Sequence, residues 1–350
     1  MGNNILVIGN GYDLAHGLRT SYSDFIEWVR SKNDDYSCLE EYSDEIFCKR
    51  LKENGFITYF LDYTKEVPGW VDLERLMREV IGCFELFFSN HIDYIDTRCS
   101  ISWDSNNAEI TDYWKMGVIN CLYAFPLFDQ DYTRANKFYS KRLDKRYYTD
   151  VFGLNRREII KLLKCQLDDM IQLLRIYLKL ASDDGGDIAK KAQIYSINPQ
   201  YVISFNYTDT YRIYGIKKED VFHVHGSLIK NNMVLGFEDD DPDNLDFVYF
   251  KKYFQRIQKL TGYIDDSKIS AIYEAGYQYS PVVHFYGHSM DKTDGDIILK
   301  LRAMSSGFVI YTYNQDDYEQ KVINLIDVFG KEQTMQMIQT EWIKFVQCEG

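Results

Sequence analysis

The chain has 350 residues, 45% hydrophobic and 27% charged, with a net charge of −13; that profile allows about two domains and excludes wholesale disorder. The acidic surplus excludes a broad, sequence-independent grip on DNA or RNA, which needs a basic field to release counterions. Seven cysteines with no C-x-x-C pair give no basis for a disulfide framework or a structural zinc site, and they fit a reducing cytoplasm.

The 29 Tyr and 21 Phe point to a large packed surface, within the chain or between copies, so a homo-oligomer is expected. No apolar stretch approaches about 20 residues, and the start lacks a basic region followed by a long apolar one. A cytoplasmic protein with no membrane association is expected.

In chain order, "ILVI" (5–8) leaves no polar face and predicts a short buried strand. Gly9 and Gly11 then permit a sharp turn and close backbone approach, and Asp13 to Gly17 begins a helix. Two readings stay open here, a nucleotide-phosphate cradle and a structural strand-to-helix turn. Position 14 is Leu, so the full G-x-G-x-x-G pattern is absent, as is the Lys-Ser/Thr of a Walker loop.

"SYSDFIEWVRSK" predicts a helix with Ser21 and Ser23 as caps and Phe25, Ile26 and Val29 on one face. Residues 31–195 read as a large, mainly helical insertion. Residues 70–88 place Leu73, Leu76, Val80, Cys83 and Phe84 on one helical face, and residues 155–181 repeat apolar positions over several turns. Asp72 and Glu74 suit a helix start through the helix dipole. The densest basic cluster, "SKRLDKRYY" (140–148), reads as a solvated face or loop.

From about residue 196 the pattern changes to short runs rich in Val, Ile, Phe and Tyr at 201–210, 221–228, 233–237, 281–290 and 307–314. Helices are predicted at 250–260, 292–304 and 315–329. The alternation predicts an α/β fold with a mainly parallel sheet that the opening strand joins. The core is thus expected at 1–30 and 196–330, with 331–350 as a C-terminal helix or tail. "EDDDPDN" (238–244) is an acidic loop.

Polar residues fall at the strand ends: Gly9, Asn10, Gly11 and Asp13; Asn206 and Thr208; His225 and Gly226; Gly287, His288 and Ser289; and Asn314. Parallel neighbours would bring all five groups to one cleft. His223 and His225 share a strand face by period two and could ligate a metal with His284 or His288, but no carboxylate spacing makes that specific and no metal is expected. His223 alone reads as a packed or hydrogen-bonded core histidine, and Asp291, Asp294 and Asp296 as cap and loop residues.

The segments "ILVIGNGYDLAHGLRTSYSDF", "WVDLE", "ISFNYT", "HVHGSL", "LGF" and "YGHSMDKTD", in that order, resemble the signature segments of the bacterial phage abortive-infection AbiH family. More distantly, the α/β part is similar to the sirtuin-like Rossmann fold, including the NADase domains of antiphage systems. The second resemblance implies an NAD site. Gly9, Asn10 and Gly11 match its phosphate turn, Asn206 its catalytic-site Asn and His225 its catalytic His. Gly287 and Ser289 match its Gly-x-Ser turn, and Asn314 the Asn that contacts the adenosine ribose. Asp13, Gly226 and His288 complete the expected binding set.

Cleaving the nicotinamide N-glycosidic bond passes through an oxocarbenium-like centre, which an orienting Asn206 and a basic His225 suit; the unperturbed imidazole pKa is about 6.5. Asp13 and Tyr207-Thr208 depart from the sirtuin pattern, and without the paired C-x-x-C zinc module deacetylation is not expected. The resemblances together imply phage defence by hydrolysis of NAD to nicotinamide and ADP-ribose, with NAD as substrate. Such toxicity implies a resting state released by a phage-derived activator, a partner defence protein or an oligomer change. The alternatives are a non-catalytic nucleotide-binding sensor acting through partners and a metal-dependent nuclease or phosphoesterase.

Overall fold

A computed structural model describes residues 4–66, 72–89, 100–102, 113–129, 140–149, 153–183, 188–238, 245–262 and 280–348. Its central sheet has six strands: β1 (Asn4–Ile8), β2 (Tyr201–Ser204), β3 (Val221–His223), β4 (Val282–Tyr286), β5 (Gly307–Thr312) and β6 (Ile343–Gln347). They lie in the order β6-β5-β4-β1-β2-β3, with every neighbouring pair parallel. The fold is thus α/β with a Rossmann-like sheet. The strand order reverses beside β1, between it and β4, and in such sheets ligands bind beyond the carboxyl ends of the strands at that reversal.

The apolar runs become strands because both faces of the sheet are covered. Side chains alternate across a strand, so Ile5 and Val7 join Ile203, Val283, Phe285 and Ile310 in one core. Leu6 and Ile8 join Val202, Tyr286 and Tyr311 in the other. A sheet buried on both sides leaves no polar alternation to read.

The helices are α1 (Asn10–Ala15), α2 (Tyr22–Ser31), α3 (Glu45–Leu51), α4 (Gly55–Glu66), α5 (Leu73–Ser89), α6 (Tyr113–Tyr123), α7 (Arg156–Asp183), α8 (Ala192–Ile197), α9 (Lys252–Gln258), α10 (Gly295–Met304), α11 (Gln315–Phe329) and α12 (Lys331–Gln339). The first turn becomes helical at Asn10, three residues before the expected start. Residues 233–237 are not a strand. Their backbone is satisfied by scattered side-chain and backbone groups instead: Gln255 donates to the Leu235 carbonyl at 2.7 Å and accepts from its N–H at 3.1 Å, the Tyr207 hydroxyl donates to the Val234 carbonyl, and the Val234 N–H donates to the His225 carbonyl at 2.8 Å.

The chain divides into two compact units. The sheet unit comprises 1–21, 177–238 and 252–350, and the helical unit 22–176 and 239–251. The expected boundaries at 30/31 and 195/196 differ for local reasons. Arg30 of α2 donates to Thr64 of α4 at 2.6 Å, which ties α2 to the helical unit. The Tyr177 hydroxyl bonds the Arg19 carbonyl at 2.6 Å, and Ile194 and Ile197 enter the sheet core. Residues 331–350, expected as a C-terminal helix or tail, hold α12 and then β6, which closes one edge of the sheet alongside β5.

Within the helical unit, Leu73, Leu76, Val80 and Phe84 of α5 are buried while Cys83 is partly exposed. Asp72 caps the start of α5 by accepting from the Arg75 N–H at 3.0 Å. Much of the aromatic content packs here, with Phe84 edge-on to Phe125 and Phe88 stacked on Phe247. Arg50 of α3 forms a two-pronged pair with Asp169 of α7 at 2.8 and 2.7 Å. The basic stretch 140–148 falls on two short strands and an intervening turn, where Arg146 bonds Asp144 at 3.0 Å. Trp70, Val71 and the acidic run 239–244 lie outside the described residues.

The two loops flanking the strand-order reversal meet through glycines. A Cβ on Gly287, whose φ is +67°, would stand 2.0 Å from the Tyr12 nitrogen and 2.3 Å from the Gly11 carbonyl carbon. Gly287→Ala is therefore expected to destabilise the protein by more than about 3 kcal/mol, combining backbone strain with an unrelievable overlap. Gly17→Ala serves as the comparison, because its φ is +80° but nothing lies within 4 Å; it should cost only the left-handed strain of about 1–2 kcal/mol. Urea unfolding of the two variants measures the difference.

Candidate functional site

The site lies at the carboxyl ends of the strands in the sheet unit. After β1 the chain turns through Gly9–Gly11 into α1, and three amides there are already engaged. Gly9 N–H donates to the Tyr286 carbonyl at 3.3 Å, Gly11 N–H to the Gly287 carbonyl at 2.9 Å and Tyr12 N–H to the Gly9 carbonyl at 2.8 Å. The Tyr313 hydroxyl donates to the Gly11 carbonyl. Asn10 accepts from the Thr20 hydroxyl at 2.8 Å. The immediate physical reason for these glycines is thus the close crossing of two loops.

The turn aims Asp13 at the end of β2. Thr208 donates to Asp13 Oδ2 at 2.5 Å, while Asp13 Oδ1 has no hydrogen-bond partner. Burial pushes the Asp13 carboxyl up to about 6, against the opposing pull of Thr208, Thr210 and Asn206. Asn206 is 6% exposed; its Nδ2 makes no hydrogen bond of normal length, and its side chain is turned to the Asp13 carboxyl, whose charge it favours. Its backbone carbonyl is held by the Ser204 hydroxyl at 3.1 Å and faces His223 Nδ1 at 3.0 Å. His223, whose Nε2 lies 3.3 Å from Asp209, is thereby a hydrogen-bonded structural histidine.

A second cluster surrounds His225. β3 ends at His223, so the period-two alternation stops there and the two histidines go to different partners. His225 Nε2 lies 3.1 Å from Asp294 Oδ1 and 3.2 Å from Arg256 Nη2. Arg256 also reaches Asp294 at 3.4 Å and Asp296 at 3.0 Å, and Lys252 Nζ lies 3.6 Å from Asp294. Burial outweighs the nearby carboxylate and draws the His225 pKa down to about 4. Asp294 is held well below the usual carboxylate range: burial opposes its charge, but Lys252, His225 and His288 overcome that.

His288 accepts from the Met290 N–H at Nδ1 (3.0 Å), so its Nε2 carries the proton, facing Asp294 at 3.6 Å. The Phe205 ring packs edge-on against both His225 and His288. Gly226 follows in a turn that Asn232 closes by accepting from the Ser227 N–H at 3.0 Å.

The expected site residues therefore sort by what they touch. Asp13, Asn206 and Thr208 come together, as do His225 and His288, while Gly9, Gly11 and Gly287 form the loop crossing. Asn314 is exposed and caps α11 by accepting from the Asp317 N–H at 2.9 Å. Ser289 is exposed, and its hydroxyl accepts from the Asp291 N–H at 3.4 Å. Asp291 is a cap, accepting from Thr293 N–H at 2.9 Å, whereas Asp294 is the buried centre of the ion cluster. Lys252 and Arg256 had no part in the expected site. Their i, i+4 spacing on α9 is the signal that puts two cations on one face. Among the described residues, no three His, Cys, Asp or Glu side chains gather as a metal site, and no helix is long and apolar enough to cross a membrane.

The Asp13 environment sets a pH dependence. An unfolded Asp titrates near 3.9, so between about 4 and 6 the folded protein binds the extra proton and stability falls as pH rises. Asp13→Asn removes the buried charge while its amide oxygen still accepts from Thr208. The variant should be more stable than the parent at pH 8, by up to about 3 kcal/mol. That gain should vanish as the pH is lowered towards 4, as urea unfolding across this range would register.

No curated protein and no solved structure matches the chain. The family described as bacteriophage abortive infection AbiH matches residues 5–345, nearly the whole length. The chain belongs to the bacteriophage abortive infection AbiH family and thus to phage defence.

Proposed function

We propose that this protein hydrolyses NAD to nicotinamide and ADP-ribose, and that loss of NAD arrests the infected cell. The observation that carries the reading is the gathering of buried Asn206 with Asp13, and of His225 with Asp294, at the carboxyl ends of the strands, beside the strand-order reversal where dinucleotides bind in sheets of this order.

In this reading the bond between the ribose C1′ and the nicotinamide nitrogen breaks, and a water oxygen bonds to C1′. Asn206 orients the ribose and the water, and His225 takes the water proton. Burial keeps His225 neutral from about pH 4 upward, so the proton-accepting form is present throughout the physiological range. Asp294 at 3.1 Å fixes the imidazole and stabilises the imidazolium that forms. The near-complete burial of Asp13, Asn206, His225 and His288 suits a resting state that a phage component, a partner chain or a change of oligomer releases.

A second reading draws on the engaged amides of Gly9, Gly11 and Tyr12: a module that binds NAD or a related nucleotide without turnover and signals through partners. Purified protein, alone and with lysate from phage-infected cells, is incubated with NAD, and nicotinamide and ADP-ribose are followed by chromatography. The wild type should release both, with turnover reduced about 100-fold or more in Asn206→Ala and His225→Ala. NAD retained without product would favour the sensor, and absence of both binding and product would end the NAD reading.

A further inference from the structure

Arg256 reaches both members of the His225–Asp294 pair. Its Nη2 lies 3.2 Å from His225 Nε2 and 3.4 Å from Asp294 Oδ1, and its Nη1 donates to Asp296 at 3.0 Å. The residue is 6% exposed, and its stem runs past Gly262, where an added Cβ would stand 2.5 Å from Arg256 Cδ and 2.8 Å from Cγ. The guanidinium is thus held through both terminal nitrogens, on a path that the missing Gly262 side chain leaves open. Lys252 also faces Asp294 Oδ1 at 3.6 Å, His288 Nε2 faces Oδ2 at 3.6 Å, and Glu238 lies 3.9 Å from Arg256 Nη1.

The hydrogens on these atoms are constrained. A guanidinium only donates, and an ionised carboxylate only accepts. A bare His225 Nε2 could accept from Arg256, but its lone pair would then face Asp294 Oδ1 at 3.1 Å with no hydrogen between them. With a hydrogen on Nε2, the imidazole and the guanidinium both donate to Oδ1, and no two lone pairs meet. Nδ1 is then the bare, basic nitrogen of the neutral ring. We infer that Arg256 is a positioning residue for His225: its charge beside Nε2 and its donor on Asp294 Oδ1 keep the ring singly protonated, with the hydrogen on Nε2 and the lone pair on Nδ1. That Nδ1 takes a proton from water rests on the NAD reading; the place of the hydrogen does not. Burial first, then Lys252 and Arg256, draws the His225 pKa down to about 4 against the pull of Asp294, in the direction this arrangement requires.

The test is 15N NMR of the full chain labelled at histidine and followed across the pH range, with the His225 signals assigned by their loss in His225→Ala and NAD turnover measured in parallel. In the wild type at neutral pH, Nε2 should carry the hydrogen and Nδ1 should show the shift of a bare nitrogen. Arg256→Met, or Arg256→Gln if the first does not fold, removes the cation, so the ring should bind its second proton about tenfold or more tightly and titrate at higher pH. Arg256→Lys should restore most of the wild-type titration, which a purely structural role for the guanidinium would not. A wild-type hydrogen on Nδ1, or the same titration with and without the cation at 256, would overturn the inference even if NAD is hydrolysed. The expected tautomer and shift without nicotinamide release would uphold the role of Arg256 on His225 and end the hydrolysis reading.

Discussion

Everything at this site depends on two loops crossing at backbone distance. The Gly9 and Gly11 positions have room for no side chain because a Cβ there would stand 2.7 and 2.8 Å from atoms of Gly287–His288 and of Gly287. The crossing is cemented by the bond from Gly11 N–H to the Gly287 carbonyl. It occurs where the strand order reverses, so β1 and β4, whose loops cross, are adjacent strands. With the first loop pinned, α1 has one possible direction, and Asp13 on it is carried to Thr208 beyond β2. The second loop, pinned by the same contact, sets His288 against Phe205. A single steric constraint thereby organises side chains from three strand ends.

The two buried carboxylates differ because their surroundings do. Asp294 sits among Lys252, Arg256 and His225; its charge is compensated inside the protein, and it positions other groups. Asp13 has the uncharged side chains of Thr208, Thr210 and Asn206 about its carboxyl and no cation among its hydrogen-bond partners. The environments push the two acidity constants apart, and this separation is how a fold assigns different tasks to chemically identical groups. His225, neutral and backed by Asp294, adds the third protonation level. Charged, neutral and intermediate groups thus stand at the ends of neighbouring strands.

The parts legible in the sequence were those that obey local rules. Ile5–Ile8, Tyr201–Ser204, Val282–Tyr286 and Gly307–Thr312 are dense in β-branched and aromatic residues, and a polar residue stands at the second position after each, Asn10, Asn206, His288 and Asn314. β6 escaped because "IKFVQ" alternates with exposed Lys344 and Val346 at a sheet edge, which resembles a tail until its pairing with β5 is known. Residues 233–237 misled in the opposite sense. Their composition suits a strand, but the Gln255 and Tyr207 side chains and single backbone bonds to His225 and Lys252 take the place of a neighbouring strand. Asp294 looked like a cap beside Asp291, and only the arrival of Lys252 and Arg256 from about 40 residues upstream distinguishes it. The phosphate-cradle and turn readings of "GNG" could not be separated by spacing, because both need glycine, one for a ligand's approach and one for a neighbouring loop.

The loop crossing bears on how the proposed activity would be restrained. The Gly9, Gly11 and Tyr12 amides are bonded to the β4 loop and within the turn, and Asp13, Asn206 and His225 are almost wholly buried while Asn10 is exposed. A ligand that claimed those amides would have to displace the Gly11–Gly287 bond, and opening the crossing would move α1 and carry Asp13 away from Thr208. Under the proposed NAD reading, the closed crossing is therefore itself the restraint.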